Sequence, residues 1–152
     1  IRFPRIRRCE DVAFTCLAID ASRKVYYLKR PFYYYFQRKS SLSNSAILDE
    51  QDMLQAFKIL QKKLEDRYPQ EIAEKSVRDL LYGVVLMMCK AGKNSKAIRG
   101  YINSYVGKYP HWYKAPSISY LGWPKKIFLQ LVRYKWIPGL RILSWVHSKM
   151  IG

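Results

Sequence analysis

Acidic residues are missing from the second half of this chain. No Asp or Glu follows Asp79, while residues 81–152 hold twelve Lys and Arg. Residues 46–80 balance eight acids against six basic residues, and residues 1–45 carry three acids against ten. The total of +17 over 152 residues implies an anionic partner: phosphate groups, nucleic acid or anionic lipid. Cysteine and histidine are scarce too. Cys9, Cys16 and Cys89 show no paired spacing and no neighbouring His cluster, and His111 and His147 have no ligand-like separation. A disulfide framework and a structural metal site are therefore not expected, and an odd, unpaired set fits a reducing compartment. No Asp-x-Asp triplet and no Gly-rich phosphate loop occurs. The longest apolar run, Leu80 to Cys89, is too short to span a bilayer.

What remains is a chain with nearly half its residues hydrophobic and 15% aromatic. That composition belongs to a folded domain, not to a disordered chain. The length suits about one domain with a real core. Ile1 in place of Met, with no apolar leader behind the basic start, suggests a piece of a longer protein.

Taken in order, residues 1–8 alternate apolar and basic, with Pro4 breaking a strand. From Glu10 the pattern predicts a short helix ending near Ala21-Ser22, with Cys9 and Cys16 two turns apart on one packing face. Lys24 to Leu28 and Phe32 to Phe36 read as two strands rich in β-branched and aromatic residues, joined by the turn Lys29-Arg30-Pro31. Ser43-Asn44-Ser45 supplies a helix cap and Asp49-Glu50 a favourable first turn. The helix that follows has Met53, Leu54, Phe57, Ile59, Leu60 and Leu64 as its stripe and stops at Tyr68-Pro69. A second, buried helix is predicted from Gln70 to Ala91, closed by Gly92. A third begins at Asn94 or Ser95 and ends at Tyr109-Pro110. An irregular aromatic stretch then leads into two basic helices, Pro124–Trp136 and Gly139–Met150. The expected architecture is an α/β remnant over residues 1–45 and a helical subdomain over 46–152, mostly helical overall.

Two stretches carry chemistry. Glu10 and Asp11 are adjacent carboxylates behind Arg2, Arg5, Arg7 and Arg8, a basic setting that favours the ionised form a general base needs. The plain alternative is an acidic helix start. In the tail, Lys125, Lys126, Arg133 and Arg141 interleave with Trp136 and Trp145 on acid-free segments, the composition of a helix lying on an anionic membrane surface. The alternative there is packing onto the domain with a solvated basic face.

The ordered features resemble the second half of a bacterial family 2 glycosyltransferase of the GT-A fold. The phrase Phe3-Pro4, five residues, Glu10-Asp11, two residues, Phe14 is similar to one found in many of its members. So are the Lys-bearing turn Ser22-Arg23-Lys24, the stretch Val25 to Leu28, and the Tyr-rich segment Pro31 to Ser41. The resemblance implies an inverting transfer of sugar from a nucleotide-sugar donor to a hydroxyl of a cell-surface glycan or lipid-linked acceptor. Asp11 would be the general base with Glu10 as its neighbour, and Arg38 and Lys39 would contact the donor diphosphate. Phe36 replaces the first Arg of the family's segment, and Pro4-Arg5-Ile6 departs from its usual approach to the carboxylates.

The resemblance also implies a divalent metal, Mg or Mn, whose main ligands lie outside this chain. The chain alone is then expected not to transfer sugar. The implied location is peripheral to the inner face of the cell membrane, in envelope polysaccharide synthesis. Two other classes compete. One is a basic nucleic-acid-binding module, weakened by the lack of any recognisable motif of that kind. The other is a non-catalytic membrane-surface adaptor.

Overall fold

The computed structural model describes residues 2–34, 36 and 50–151. The chain is mostly helical: α1 (Glu10–Asp20), α2 (Glu50–Leu64), α3 (Pro69–Ser76), a π-helical segment (Val77–Val84), α4 (Val85–Lys90), α5 (Ser95–Lys108), α6 (Trp123–Arg133) and α7 (Ile137–Ile151).

In α2, Met53, Ala56, Phe57, Leu60 and Leu64 are buried, while Leu54 and Ile59 flank them half-buried. These positions recur at three- and four-residue steps, so one stripe enters the core. The Tyr68 N–H bonds to the Leu64 carbonyl at 2.8 Å, and Pro69, which lacks an N–H to place, opens α3. From Pro69 to Lys90 the chain stays helical, as its apolar run predicts, but its middle widens into π geometry. Val77, Leu80, Leu81, Val84 and Val85 are all buried there. Gly83 lies close over the carbonyl five residues back: a Cβ on it would sit 3.4 Å from the Arg78 oxygen.

Helix ends follow identifiable devices. Gly92, at φ 68°, closes α4 by letting the Lys93 and Gly92 amides reach the Met88 and Cys89 carbonyls. The Asn94 side chain accepts from the Ala97 N–H at 2.8 Å and starts α5. Ile98, Ile102 and Tyr105 are the buried face of α5. Between α5 and α6, two short 3₁₀ turns carry the buried Trp112.

Lys135 does at the end of α6 what Gly92 does for α4. Its φ is 53°, and the Lys135 and Trp136 amides bond to Val132 and Leu131. The chain then turns into α7, whose Ile137, Leu140 and Ser144 are buried. Helix α7 packs on α4, α5 and α6, and α1 packs on α2.

The two expected strands do not form: among the described residues no strand is present. Residues 24–29 and 31–34 have no regular structure, and every described side chain from Ala21 to Tyr34 is exposed. An isolated strand leaves its N–H and C=O groups without a ladder, so β-propensity alone cannot hold it. The α/β part of the expected architecture thus has no sheet here. The capping run Ser43 to Ser45 and the candidate diphosphate residues Arg38 and Lys39 lie outside the described residues.

Candidate functional site

The Glu10-Asp11 dipeptide forms the first turn of α1, where the dipole favours negative charge. Cys9 precedes it in a left-handed conformation, φ 59°, and its carbonyl accepts from the Val12 N–H at 3.2 Å. Ahead of it, the Ile6 amide bonds back to the Pro4 carbonyl at 2.9 Å, so the approach segment folds into a tight turn. That turn has a purpose in packing. The Phe3 and Phe14 rings stack with centroids 3.8 Å apart and planes 8° from parallel. The two aromatic ends of the sequence phrase are therefore in contact, and the segment between them closes over the start of α1.

Glu10 is half-buried in this loop and Asp11 is exposed. Below them, Ala13 is fully buried and Val12, Cys16 and Leu17 pack against the core. At the far end, Asp20 accepts from Arg67 at 2.7 Å, tying α1 to the end of α2.

Acids as well as the four arginines bear on this helix start. The Cys9 thiol is pushed up to about 11, first by burial and then by the charges of Asp11, Asp52, Glu10 and Asp79. Acids from α2 and the π segment therefore act at this helix start, a convergence that sequence spacing could not reveal. Asp79 is buried and ion-paired with Lys75 at 2.8 Å and Arg78 at 3.1 Å. Among the described residues no three His, Cys, Asp or Glu side chains gather as a metal-binding group. They do not form a site for the divalent cation that the resemblance implies.

Two clefts of about 400 and 430 Å³ lie elsewhere. One, beside Glu74, Tyr109, His111 and Trp112, sits at the junction of α3 with the irregular aromatic stretch. The other lies at the opposite end of α1, between Asp20, Tyr68 and Lys75. Neither includes Glu10 or Asp11. Asp11 is exposed on its helix, with the half-buried Glu10 beside it.

The tail residues are distributed over α6, α7 and their corner. Lys125 lies 5.6 Å from the centre of the Tyr82 ring, and Lys126 donates to the Ser119 carbonyl at 2.8 Å. Arg133 lies over Tyr113 at 4.4 Å, and Arg141 donates to the Lys93 carbonyl at 2.9 Å. All four remain exposed. Trp145 is 64% exposed on α7. Trp136 is partly committed to packing, because its ring lies against Gly139, where a Cβ would come within 2.5 Å of it. Three aromatic residues that the sequence reading did not single out are more exposed than either: Tyr120, Trp123 and Tyr134. For Trp123 and Tyr134, at the two ends of α6, helical spacing against Ile127 was the signal that could have found them.

No family model, curated protein or solved structure matches the chain.

Proposed function

We propose that this chain is the acceptor-side, C-terminal part of an inverting, nucleotide-sugar-dependent glycosyltransferase acting at the inner face of the cell membrane. The observation that carries the reading is the Phe3–Phe14 stack. It gives the spacing Phe-Pro, five residues, Glu-Asp, two residues, Phe a physical meaning, because that spacing lets the approach segment close and fix the first turn of α1. The exposure of Asp11 supports the assignment as well, since a general base must reach a proton on a bound acceptor. So does the exposed aromatic stretch from Val25 to Tyr34, whose residue types suit a sheet edge once partner strands are supplied.

In this reading Asp11 takes the proton of the acceptor hydroxyl as that oxygen attacks the anomeric carbon. The bond from that carbon to the nucleoside diphosphate breaks, with inversion. Glu10, half-buried beside it, holds the acceptor or the base in line. Arg38 and Lys39 meet the negative charge that develops on the leaving diphosphate. The divalent cation expected with the donor has its main ligands outside this chain, and no step assigned to these residues runs through it.

The test is sugar transfer from radiolabelled uridine, guanosine and thymidine diphosphate sugars by the polypeptide that carries this chain, beside the 152-residue chain alone. Transfer by the first, none by the second, and a raised donor KM in Arg38→Ala are the expected results. Turnover by the isolated chain, or none from any donor class by the longer polypeptide, overturns the reading.

A further inference from the structure

Helix α6 is apolar on two faces. Phe128, Leu129 and Val132 are buried in the core. On the other side Trp123, Ile127 and Tyr134 recur at helical spacing around Gln130, and Trp123 and Tyr134 are 73% and 75% exposed. A surface helix ordinarily turns a polar face outward. Helix α7 repeats the arrangement: Ile137, Leu140 and Ser144 are buried, while Ile142 and Trp145 stand outward. Two adjoining helices thus each present large apolar side chains that the fold itself does not cover.

The charges beside these stripes are all of one sign. No carboxylate follows Asp79 in the sequence. The ion pairs that reach this half from α2 engage Lys93 with Glu50 and Lys108 with Glu65. Lys126 and Arg141 are steadied instead by backbone carbonyls, and Arg133 by the Tyr113 ring. Those contacts fix the position of each cation and neutralise none of its charge. No helix of the described residues is long and apolar enough to cross a membrane.

We propose that the outer face of α6 and α7 docks on an anionic lipid bilayer, with Trp123, Ile127, Tyr134, Ile142 and Trp145 entering the headgroup layer and the exposed Lys126 and Lys149 meeting lipid phosphates. Tryptophan and tyrosine settle at the headgroup level, and cations beside them add electrostatic attraction. Charge complementarity selects this occupant. A second copy would bring two acid-free, cationic faces together. A nucleic acid would use the aromatic rings and the cations but gain nothing from Ile127 and Ile142. The structure extends the surface that composition suggests: Trp136, 55% exposed, sits at the helix corner against Gly139, and Trp123 and Tyr134 are more exposed still.

The test is co-sedimentation of the 152-residue chain with phosphatidylcholine vesicles, with and without phosphatidylglycerol, and separately its binding to single-stranded RNA. Binding is expected to require phosphatidylglycerol and to weaken with salt. It should fall about fivefold for each of Lys126→Gln and Lys149→Gln. The combined Trp123→Ser, Ile127→Ser, Trp145→Ser variant should lose on the order of tenfold, with its helical circular dichroism unchanged. Fluorescence of the wild-type chain should be quenched by bromine-labelled lipid. Equal binding to neutral and anionic vesicles overturns the proposal. So does a folded triple variant that binds like wild type, or RNA binding without vesicle binding. Vesicle binding measures no sugar transfer, so the proposal stands or falls independently of the transferase reading.

Discussion

Replacing Phe14 by Ala removes one partner of the Phe3–Phe14 stack and opens the loop that holds Glu10 and Asp11. Stacked aromatic pairs are worth about 0.5–1.5 kcal/mol beyond the area they bury. With Phe3 58% exposed, the lower half of that range applies, about 0.5–1 kcal/mol. Removing the Phe14 ring also returns roughly 40 Å² of apolar contact to water, about 1 kcal/mol more. Alanine at a helical position recovers up to about 0.5 kcal/mol through propensity.

The single variant should therefore lose about 1–1.5 kcal/mol, and Phe3→Ala somewhat less, because the chain there relaxes without leaving a cavity. The cleaner quantity is the coupling in the double-mutant cycle, in which the propensity contribution cancels. It should be about 0.5–1 kcal/mol in urea unfolding followed by circular dichroism. Hydrogen exchange at the Ile6 amide, which bonds to Pro4, should quicken in either variant. A coupling below about 0.2 kcal/mol, a fraction of what such pairs contribute, would refute the claim that the stack closes the loop.

Three further outcomes follow from the packing. Ser76 and Tyr105 share a buried 2.6 Å hydrogen bond between the end of α3 and α5. Tyr105→Phe should cost about 1 kcal/mol, since Ser76 keeps its bond to Ala73. Ser76→Ala should cost about 2 kcal/mol, because it strands a buried hydroxyl, and urea unfolding checks both. Gly139→Ala should cost about 1–2 kcal/mol in thermal unfolding and shift tryptophan emission, because the new methyl displaces the Trp136 ring. His147 is held below the usual histidine range, first by burial and then by Lys90 and Lys125, and its Nδ1 has no hydrogen-bond partner among the described residues. The unfolded chain therefore binds a proton that the folded chain refuses. Stability contributed by the neutral form is full above the ordinary value of 6.5 and declines as pH falls below it. Urea midpoints above and below that pH should show the decline in wild type and a smaller one in His147→Gln.

The apolar periodicity of α2 and the long run from Ile72 to Met88 could be read directly, because one face of each helix meets a continuous core and leaves a three-and-four pattern. Cap residues such as Asn94 and Gly92 could be read for the same local reason. The π winding of Val77–Val84 could not. Over 8 residues, with Arg78 and Asp79 near one end and an apolar run after them, α and π winding leave the same pattern in the sequence. The β-rich residues 24–34 have strand chemistry without strand structure, since a ladder depends on a partner that local sequence does not supply.

At the site, the dipeptide and its helix start could be read from the order of residues. The charges of Asp52 and Asp79 felt at Cys9 could not, because they depend on tertiary packing such as that of α2 on α1. In the tail, composition pointed to a cationic aromatic surface, but only the folded corner shows that Trp136 rests part of its ring on Gly139 while Trp123 stands 73% exposed.

The role of Asp11 is tested most directly by kcat for sugar transfer in the polypeptide carrying this chain, wild type against Asp11→Asn, at saturating donor and acceptor. The amide keeps the size of the side chain and cannot accept the proton. General-base assistance contributes about 10²–10⁴-fold, so kcat should fall by at least about a hundredfold with both KM values nearly unchanged. An Asp11→Asn enzyme with wild-type kcat would contradict the assignment and leave the carboxylates as an ordinary acidic helix start.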